Sequence, residues 1–330
     1  MRELVRTNNA VLITAIEALL KSAEIPHVVL DQHMSVLEGS LGILPRRILV
    51  HDEHHDGARQ LLEDAGLTHE LRPAPAGAPS DLTDDAVLGG RLRLKQKRKG
   101  HRVGHDAILL AAATDAGPGD SIADLGAGVG AAGLAVATRV PDVNVTLVEI
   151  DPELSAIAAE NIVRNGFAER ASAVTLDVSD HPDVFAAAGL ALDSFDRVLM
   201  NPPFNDASRQ NVSPDAGRRM AHVAPHDLLV QWIDAASRLL HSAGTLTMIW
   251  RAEALAEVLR ALEPAFGGIV VLPVHGREGQ PAIRVIVRAS KGTRAPLAVM
   301  PGLLLNDAAG KPTAEAEEIL RDAQPLKLGG

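Results

Sequence analysis

The 330-residue chain has no cysteine and no tyrosine, and aromatic residues make up only 2% of it. Without cysteine there is neither a disulfide nor a thiolate metal site, which suits a reducing compartment. Any stacking surface must draw on five phenylalanines and two tryptophans. No uncharged apolar run approaches the ~20 residues of a membrane span. Met1-Arg2-Glu3-Leu4 runs into polar Thr7-Asn8-Asn9 and not into the apolar core of a secretion signal. The expectation is a cytoplasmic protein without membrane contact. Positive charge is in deficit, with a formal net charge of −10. That argues against indiscriminate coating of nucleic acid, while leaving room for a local basic face.

The length exceeds what one small core needs, so two domains are expected. Residues 73–80, Pro-Ala-Pro-Ala-Gly-Ala-Pro-Ser, can neither pack nor propagate a helix and read as a linker. Before it, residues 1–72 alternate as β-α-β-β-α, which predicts a small ferredoxin-like α/β domain. His51, His54 and His55 lie among acids, but their spacing reads as a polar helix start, and no metal is expected. After the linker, residues 81–330 alternate strands with helices. That order predicts a Rossmann-like, seven-stranded, mostly parallel α/β sheet covered on both faces. Only Gly276–Pro281 separates the last two strands, too little for a crossover helix, so they are expected to pair antiparallel.

The first strand of that sheet closes on Asp124-Leu-Gly126-Ala-Gly128-Val-Gly130. Glycines allow tight turning and close approach to a ligand, and in open α/β sheets the binding crevice lies at the carboxyl ends of the strands. Gly128-Val-Gly130-Ala-Ala-Gly133 also matches a dinucleotide fingerprint, but it begins four residues past Asp124, well beyond the strand end. Glu149 closes the second strand, where an acid can accept from both ribose hydroxyls. Asp177 is placed at the end of the third strand, where it can accept from an adenine amine or serve as a loop acid. Asp151 reads as the N-cap before Pro152.

The segment Asp124 to Gly130, with Glu149, Asp177 and Asn201-Pro202-Pro203-Phe204 after the fourth strand, resembles class I S-adenosylmethionine-dependent methyltransferases over about residues 81–330. The resemblance implies S-adenosylmethionine as cofactor, with loop 124–130 around its methionine part, Glu149 on the ribose and the region of Asp177 on the adenine. It also implies that Gly104 and Asp106 belong to a lead-in segment closing over the cofactor. Arg102–Leu110, Asn201–Phe204 and Ala221–Val223 are most similar to bacterial tRNA adenine-N6 methyltransferases acting beside the anticodon of valine tRNA, and to the wider small-methyltransferase-domain group. Asp31-Gln32-His33-Met34-Ser35-Val36-Leu37-Glu38-Gly39-Ser40 followed by Leu44-Pro45-Arg46-Arg47 resembles, over about residues 1–72, a small bacterial domain described only as signal-transducing, which assigns no chemistry.

An adenine amine is a poor nucleophile because its lone pair is delocalised into the ring. Acceptors on its two N–H groups free that lone pair. Asn201 supplies a neutral carboxamide oxygen, the Pro202 carbonyl a second acceptor, and Phe204 a stacking face. Arg93, Lys95, Lys97, Arg98, Lys99 and Arg102 crowd before Gly104, with Leu92 and Leu94 alternating among them. They read as a strand with one basic face that can meet the phosphates of an RNA, tRNA in the first instance. Methylation of guanine N2 in rRNA, methylation of glutamine in a protein, and a cofactor-sensing regulatory module are the alternative functions.

Overall fold

A computed structural model describes residues 2–7, 10–23, 25–30, 46–51, 54–65, 67, 82–98, 103–203 and 225–328. It divides into two compact units, Met1–Ser80 and Asp81–Gly330. The Pro/Ala stretch 73–80 lies outside the described residues.

In the first unit, strand β1 (Arg2–Thr7), helix α1 (Ala10–Ser22), strands β2 (His27–Leu30) and β3 (Arg46–Val50) and helix α2 (His55–Asp64) follow one another. The sheet order is β1-β3-β2, with β3 antiparallel to both neighbours. Strands β1 and β2, joined through α1, therefore run the same way with β3 inserted between them, as in the expected plait. Ile13, Ile16 and Leu20 of α1 and Leu62 of α2 are buried with Leu4, Val5, Ile48 and Val50.

The second unit opens with a hairpin, β4 (Leu82–Val87) and β5 (Leu92–Lys97), and then helix α3 (His105–Ala113). The main sheet contains β6 (Ser121–Leu125), β7 (Asn144–Glu149), β8 (Ala171–Thr175), β9 (Phe195–Met200), β10 (Leu240–Arg251), β11 (Phe266–His275) and β12 (Ala282–Lys291). Their spatial order is β11-β12-β10-β9-β6-β7-β8. The pairs from β10 to β8 are parallel, and β12 is antiparallel to both β10 and β11. The seven expected strands are present, and two short ones, β13 (Ala298–Val299) and β14 (Leu303–Leu304), extend the edge beside β11.

The connecting helices are α4 (Ala131–Arg139), α5 (Pro152–Arg164), α6 (Pro182–Ala187), α7 (Pro225–Leu239), α8 (Leu255–Leu262) and α9 (Ala314–Asp322). Strand alternation sorts the core onto two faces. Ile122, Val145 and Leu147 pack with α3, α4 and α5, while Ala123, Leu125 and Val148 pack with α6, α7 and α8. Helix α5 shows how local chemistry sets an element. Asp151 caps it by accepting from the Glu153 and Leu154 amides, Pro152 occupies the first turn, and Gly166 turns left-handed (φ 73°) beyond its end.

Candidate active site

Strand register puts three residues side by side. Leu125 of β6 pairs with Val148 of β7 on one side and with Met200 of β9 on the other. The next residues along these parallel strands are Gly126, Glu149 and Asn201, on neighbouring strands spaced ~5 Å apart. The chain winds from β6 through β7 to β8 and then returns on the other flank as β9. The crevice between β6 and β9 is therefore the topological switch point, where open α/β sheets bind ligands.

The glycines of the loop turn out to have different tasks. Gly126, Gly128 and Gly130 all adopt left-handed backbone (φ 68°, 57° and 87°). A Cβ at position 126 would stand 2.3 Å from Cη2 of Trp232, and one at 130 would stand 2.7 Å from Cδ1 of Leu147. Those two glycines are demanded by the protein's own packing. Gly128 alone of the three faces open space, which leaves its backbone accessible to a bound molecule. Trp232, on α7, is the floor beneath the loop, a role beyond the general core packing its apolar helix suggests.

The carboxylates are turned inward. Asp124 is buried, and its Oδ2 accepts from the Gly133 amide at 2.8 Å. Burial, assisted by the nearby charge of Glu149, pushes the Asp124 carboxyl up to about 7. Glu149 accepts from the Gly128 amide through Oε2 (2.8 Å) and from the Asp151 amide through Oε1 (2.9 Å). Its pKa is also raised, chiefly by burial. A carboxylate has about four lone-pair sites, more than these contacts use, so the side chain can shape the loop and still accept from a ligand hydroxyl. Asp177 does not end a strand, because β8 stops at Thr175. It closes an Asx turn, its Oδ1 accepting from the amide and hydroxyl of Ser179.

Asn201 stands just past the end of β9, followed by a buried Pro202 and a half-buried Pro203. The Oδ1 atom of Asn201 is buried and has no hydrogen-bond partner among the described residues. Leaving an acceptor dry and unpaired costs about 1–3 kcal/mol, which is explicable if a donor arrives with a ligand. Phe204 lies outside the described residues. Gly104 precedes α3 and Asp106 sits in its first turn, its Oδ2 accepting from Arg284 Nε of β12 at 2.9 Å.

The basic segment is more engaged than its sequence suggests. Arg93 pairs with Asp84 (3.0 Å), Lys95 with Glu160 (2.8 Å) and Lys97 with Glu153 (2.5 Å). Arg164 also meets Asp84, and the Arg93 hydrogen bond leads the effects that hold the Asp84 carboxyl below its ordinary range. The expected basic face of β5 is thus set against acids of α5 and β4. Arg98 is exposed at the strand end, while Lys99 and Arg102 lie outside the described residues. No group of three or more histidine or acidic side chains among the described residues is arranged to hold a metal ion.

A doubly wound sheet with an antiparallel final strand, a glycine loop at its switch point and an acid closing the second strand together define a Rossmann-like methyltransferase fold. The chain belongs to the methyltransferase small domain family, which matches residues 102–276. Residues 1–66 match a family described as prokaryotic signal transducing. Among curated proteins, the tRNA1(Val) (adenine(37)-N6)-methyltransferase of Actinobacillus succinogenes is 32% identical over 166 residues, 49% of this chain and 66% of that protein. Its namesake from Porphyromonas gingivalis is 33% identical over 152 residues, 45% of this chain and 58% of that protein. The chain thus matches less than two thirds of the length of these relatives. A solved structure described as a predicted O-methyltransferase from Agrobacterium tumefaciens is 31% identical, covers 67% of this chain and 98% of its own, and superposes with a TM-score of 0.57.

Proposed function

We propose that residues 81–330 bind S-adenosylmethionine and methylate the exocyclic N6 amine of an adenine in tRNA. The observation that carries this reading is the unpaired, buried Oδ1 of Asn201 at the switch point, one strand away from the glycine loop. The cofactor supplies an electrophilic methyl group on a sulfonium. Around it, Gly128 offers an uncovered backbone, Glu149 offers remaining acceptor capacity to a ribose, and Asp124 ties down the first turn of α4 just after the loop. Asp106 and Asp177 are assigned as further cofactor contacts.

Asn201 Oδ1 accepts from one N–H of the amine, and the Pro202 carbonyl is assigned the other. Two acceptors draw the nitrogen toward a tetrahedral shape and free its lone pair for in-line attack. A nitrogen–carbon bond forms, the sulfur–carbon bond breaks, and the extra proton leaves to solvent. Holding the nitrogen in line is the main catalytic contribution. Phe204 provides the stacking face for the base. A hydroxyl acceptor would need a base to take its proton, and a carboxamide cannot act as one. Asn201 therefore favours nitrogen over oxygen as the acceptor atom.

Phosphate contact is assigned to the segment from Arg93 to Arg102. RNA engaging Arg93, Lys95 or Lys97 has to displace ion pairs that are open to solvent and screened by it, so they oppose the exchange only weakly. The test is transfer of labelled methyl to unmodified tRNA with nucleoside mapping. Label in N6-methyladenosine supports the reading, and label confined to protein or to guanosine overturns its substrate half.

A further inference from the structure

Strand β5 has β4 on one edge and helix α5 on the other. On the helix side its backbone is satisfied by two side-chain amides. Asn165 accepts from the Arg93 amide at 2.9 Å and donates to the Arg93 carbonyl at 2.8 Å. Asn161 accepts from the Lys95 amide at 2.8 Å and donates to the Lys95 carbonyl at 3.0 Å. Four helical residues rise ~6 Å and two strand residues ~6.7 Å, so amides four apart on a helix can imitate a neighbouring strand. Asn161 does more than dock the hairpin. It is fully buried, and its Nδ2 also donates to the Val129 carbonyl at 3.0 Å, inside the glycine loop.

The same strand also holds the lead-in segment. Gln96 is 3% exposed. Its Oε1 accepts from the Val103 amide at 2.8 Å, and its Nε2 donates to Asp85 at 2.8 Å. Val103 directly precedes Gly104 and the helix bearing Asp106. Two buried amides at β5 thus hold two separate segments, the cofactor loop at Val129 and the lead-in at Val103.

We infer that the β4–β5 hairpin is a positioning element for the cofactor pocket, with Asn161 and Gln96 as positioning residues that set the spacing between the glycine loop and the lead-in. The inference rests on the reading of residues 104–106 and 124–130 as cofactor-binding. Neither amide touches the ligand in this scheme. Each fixes a backbone segment that does.

The experiment uses the full chain, with S-adenosylmethionine affinity measured by calorimetry well below the melting temperature and Tm recorded beside it. Asn161→Asp keeps the acceptor for Lys95 but loses both donated bonds and sets a carboxylate against two carbonyls. Asn165→Asp makes the same change one turn along, at an amide that contacts β5 and its own helix but not the glycine loop. The expected result is a tenfold or greater loss of cofactor affinity for Asn161→Asp, with affinity within twofold of wild type for Asn165→Asp at a comparable loss of Tm. Gln96→Leu is expected to raise KM for the cofactor about tenfold while kcat at saturating cofactor stays within threefold. It also carries the test from the lead-in side if Asn161→Asp does not fold. Affinity that tracks Tm equally in the Asn161 and Asn165 variants, or a normal KM in Gln96→Leu, overturns the inference. A wild-type chain that binds no S-adenosylmethionine overturns the cofactor reading itself, a distinct failure.

Discussion

Asp124→Asn should make the protein more stable at pH 8 and worse at binding its cofactor. The folded state pushes the Asp124 carboxyl from 3.8 up to about 7, mainly by burial. Between those values the folded chain holds a proton that the unfolded chain has released. Stability therefore falls as pH rises through this window. A gap of about three pH units corresponds to about 4 kcal/mol as an upper bound. Relaxation of the surroundings reduces that, and ~2 kcal/mol is a reasonable working figure. Asparagine keeps an oxygen for the Gly133 amide and carries no charge to bury. Only below the unfolded value of 3.8, where Asp124 is protonated in the unfolded as well as the folded chain, should the two proteins melt alike. At pH 8 the variant should melt higher by ~4–8 °C, taking ~2–4 °C per kcal/mol for a unit of this size. Differential scanning fluorimetry from about pH 3.5 to pH 8 measures this directly. A Tm difference that does not change with pH would show that Asp124 is not held as a costly buried charge. The same variant should lose S-adenosylmethionine affinity, since a negative charge beneath the loop favours a cationic ligand.

The glycines should separate by substitution. Gly126→Ala meets Trp232 at 2.3 Å in a left-handed conformation and should cost roughly 2–4 kcal/mol in urea denaturation. Adding Trp232→Phe should recover part of that loss, and strict additivity would refute the contact. Gly128→Ala has open space and should cost only about 1–2 kcal/mol of backbone strain, yet lose cofactor affinity tenfold or more by calorimetry. Glu149→Gln should weaken cofactor binding severely, because it replaces an acceptor-only side chain in a site built from donors; wild-type affinity would remove Glu149 from the site. Neutralising Lys95, Lys97, Arg98 and Lys99 together should weaken RNA binding and flatten its salt dependence with cofactor affinity little changed. An unaltered salt slope would mean that the segment serves only its ion pairs.

Much of the fold is legible in the chain because the signals are local. The alternation of strands and helices, the Asp151-Pro152 helix start and the short Gly276–Pro281 link each follow from adjacent residues. The short edge strands β13 and β14 carry too few residues for any periodicity to show. The end of β8 is missed because Asp177 continues an apolar-alternating run while its carboxylate closes a turn with Ser179. Within the site, Glu149 and Asn201 stand out because one closes and the other directly follows a strand of a recognisable sheet. Asn161 does not stand out, since its partners lie 66 and 32 residues away and an asparagine inside a helix carries no periodic signal. The engagement of Arg93, Lys95 and Lys97 is hidden for the same reason. A run of cations looks like a free basic face until the fold brings Asp84, Glu153 and Glu160 beside it. Trp232 belongs to an apolar helix face, and only the tertiary contact with Gly126 distinguishes it from ordinary core.

The central claim is that Asn201 acts on the acceptor amine and not on the cofactor. Single-turnover methylation of unmodified tRNA by Asn201→Ala, with saturating S-adenosylmethionine and a parallel cofactor titration, addresses it most directly. The account predicts a fall in the single-turnover rate of a hundredfold or more, about 3 kcal/mol in the barrier, with cofactor Kd within about threefold of wild type. Asn201→Asp should retain part of the rate, because its carboxylate still accepts. A normal single-turnover rate in Asn201→Ala, or a loss explained wholly by weaker cofactor binding, would contradict it.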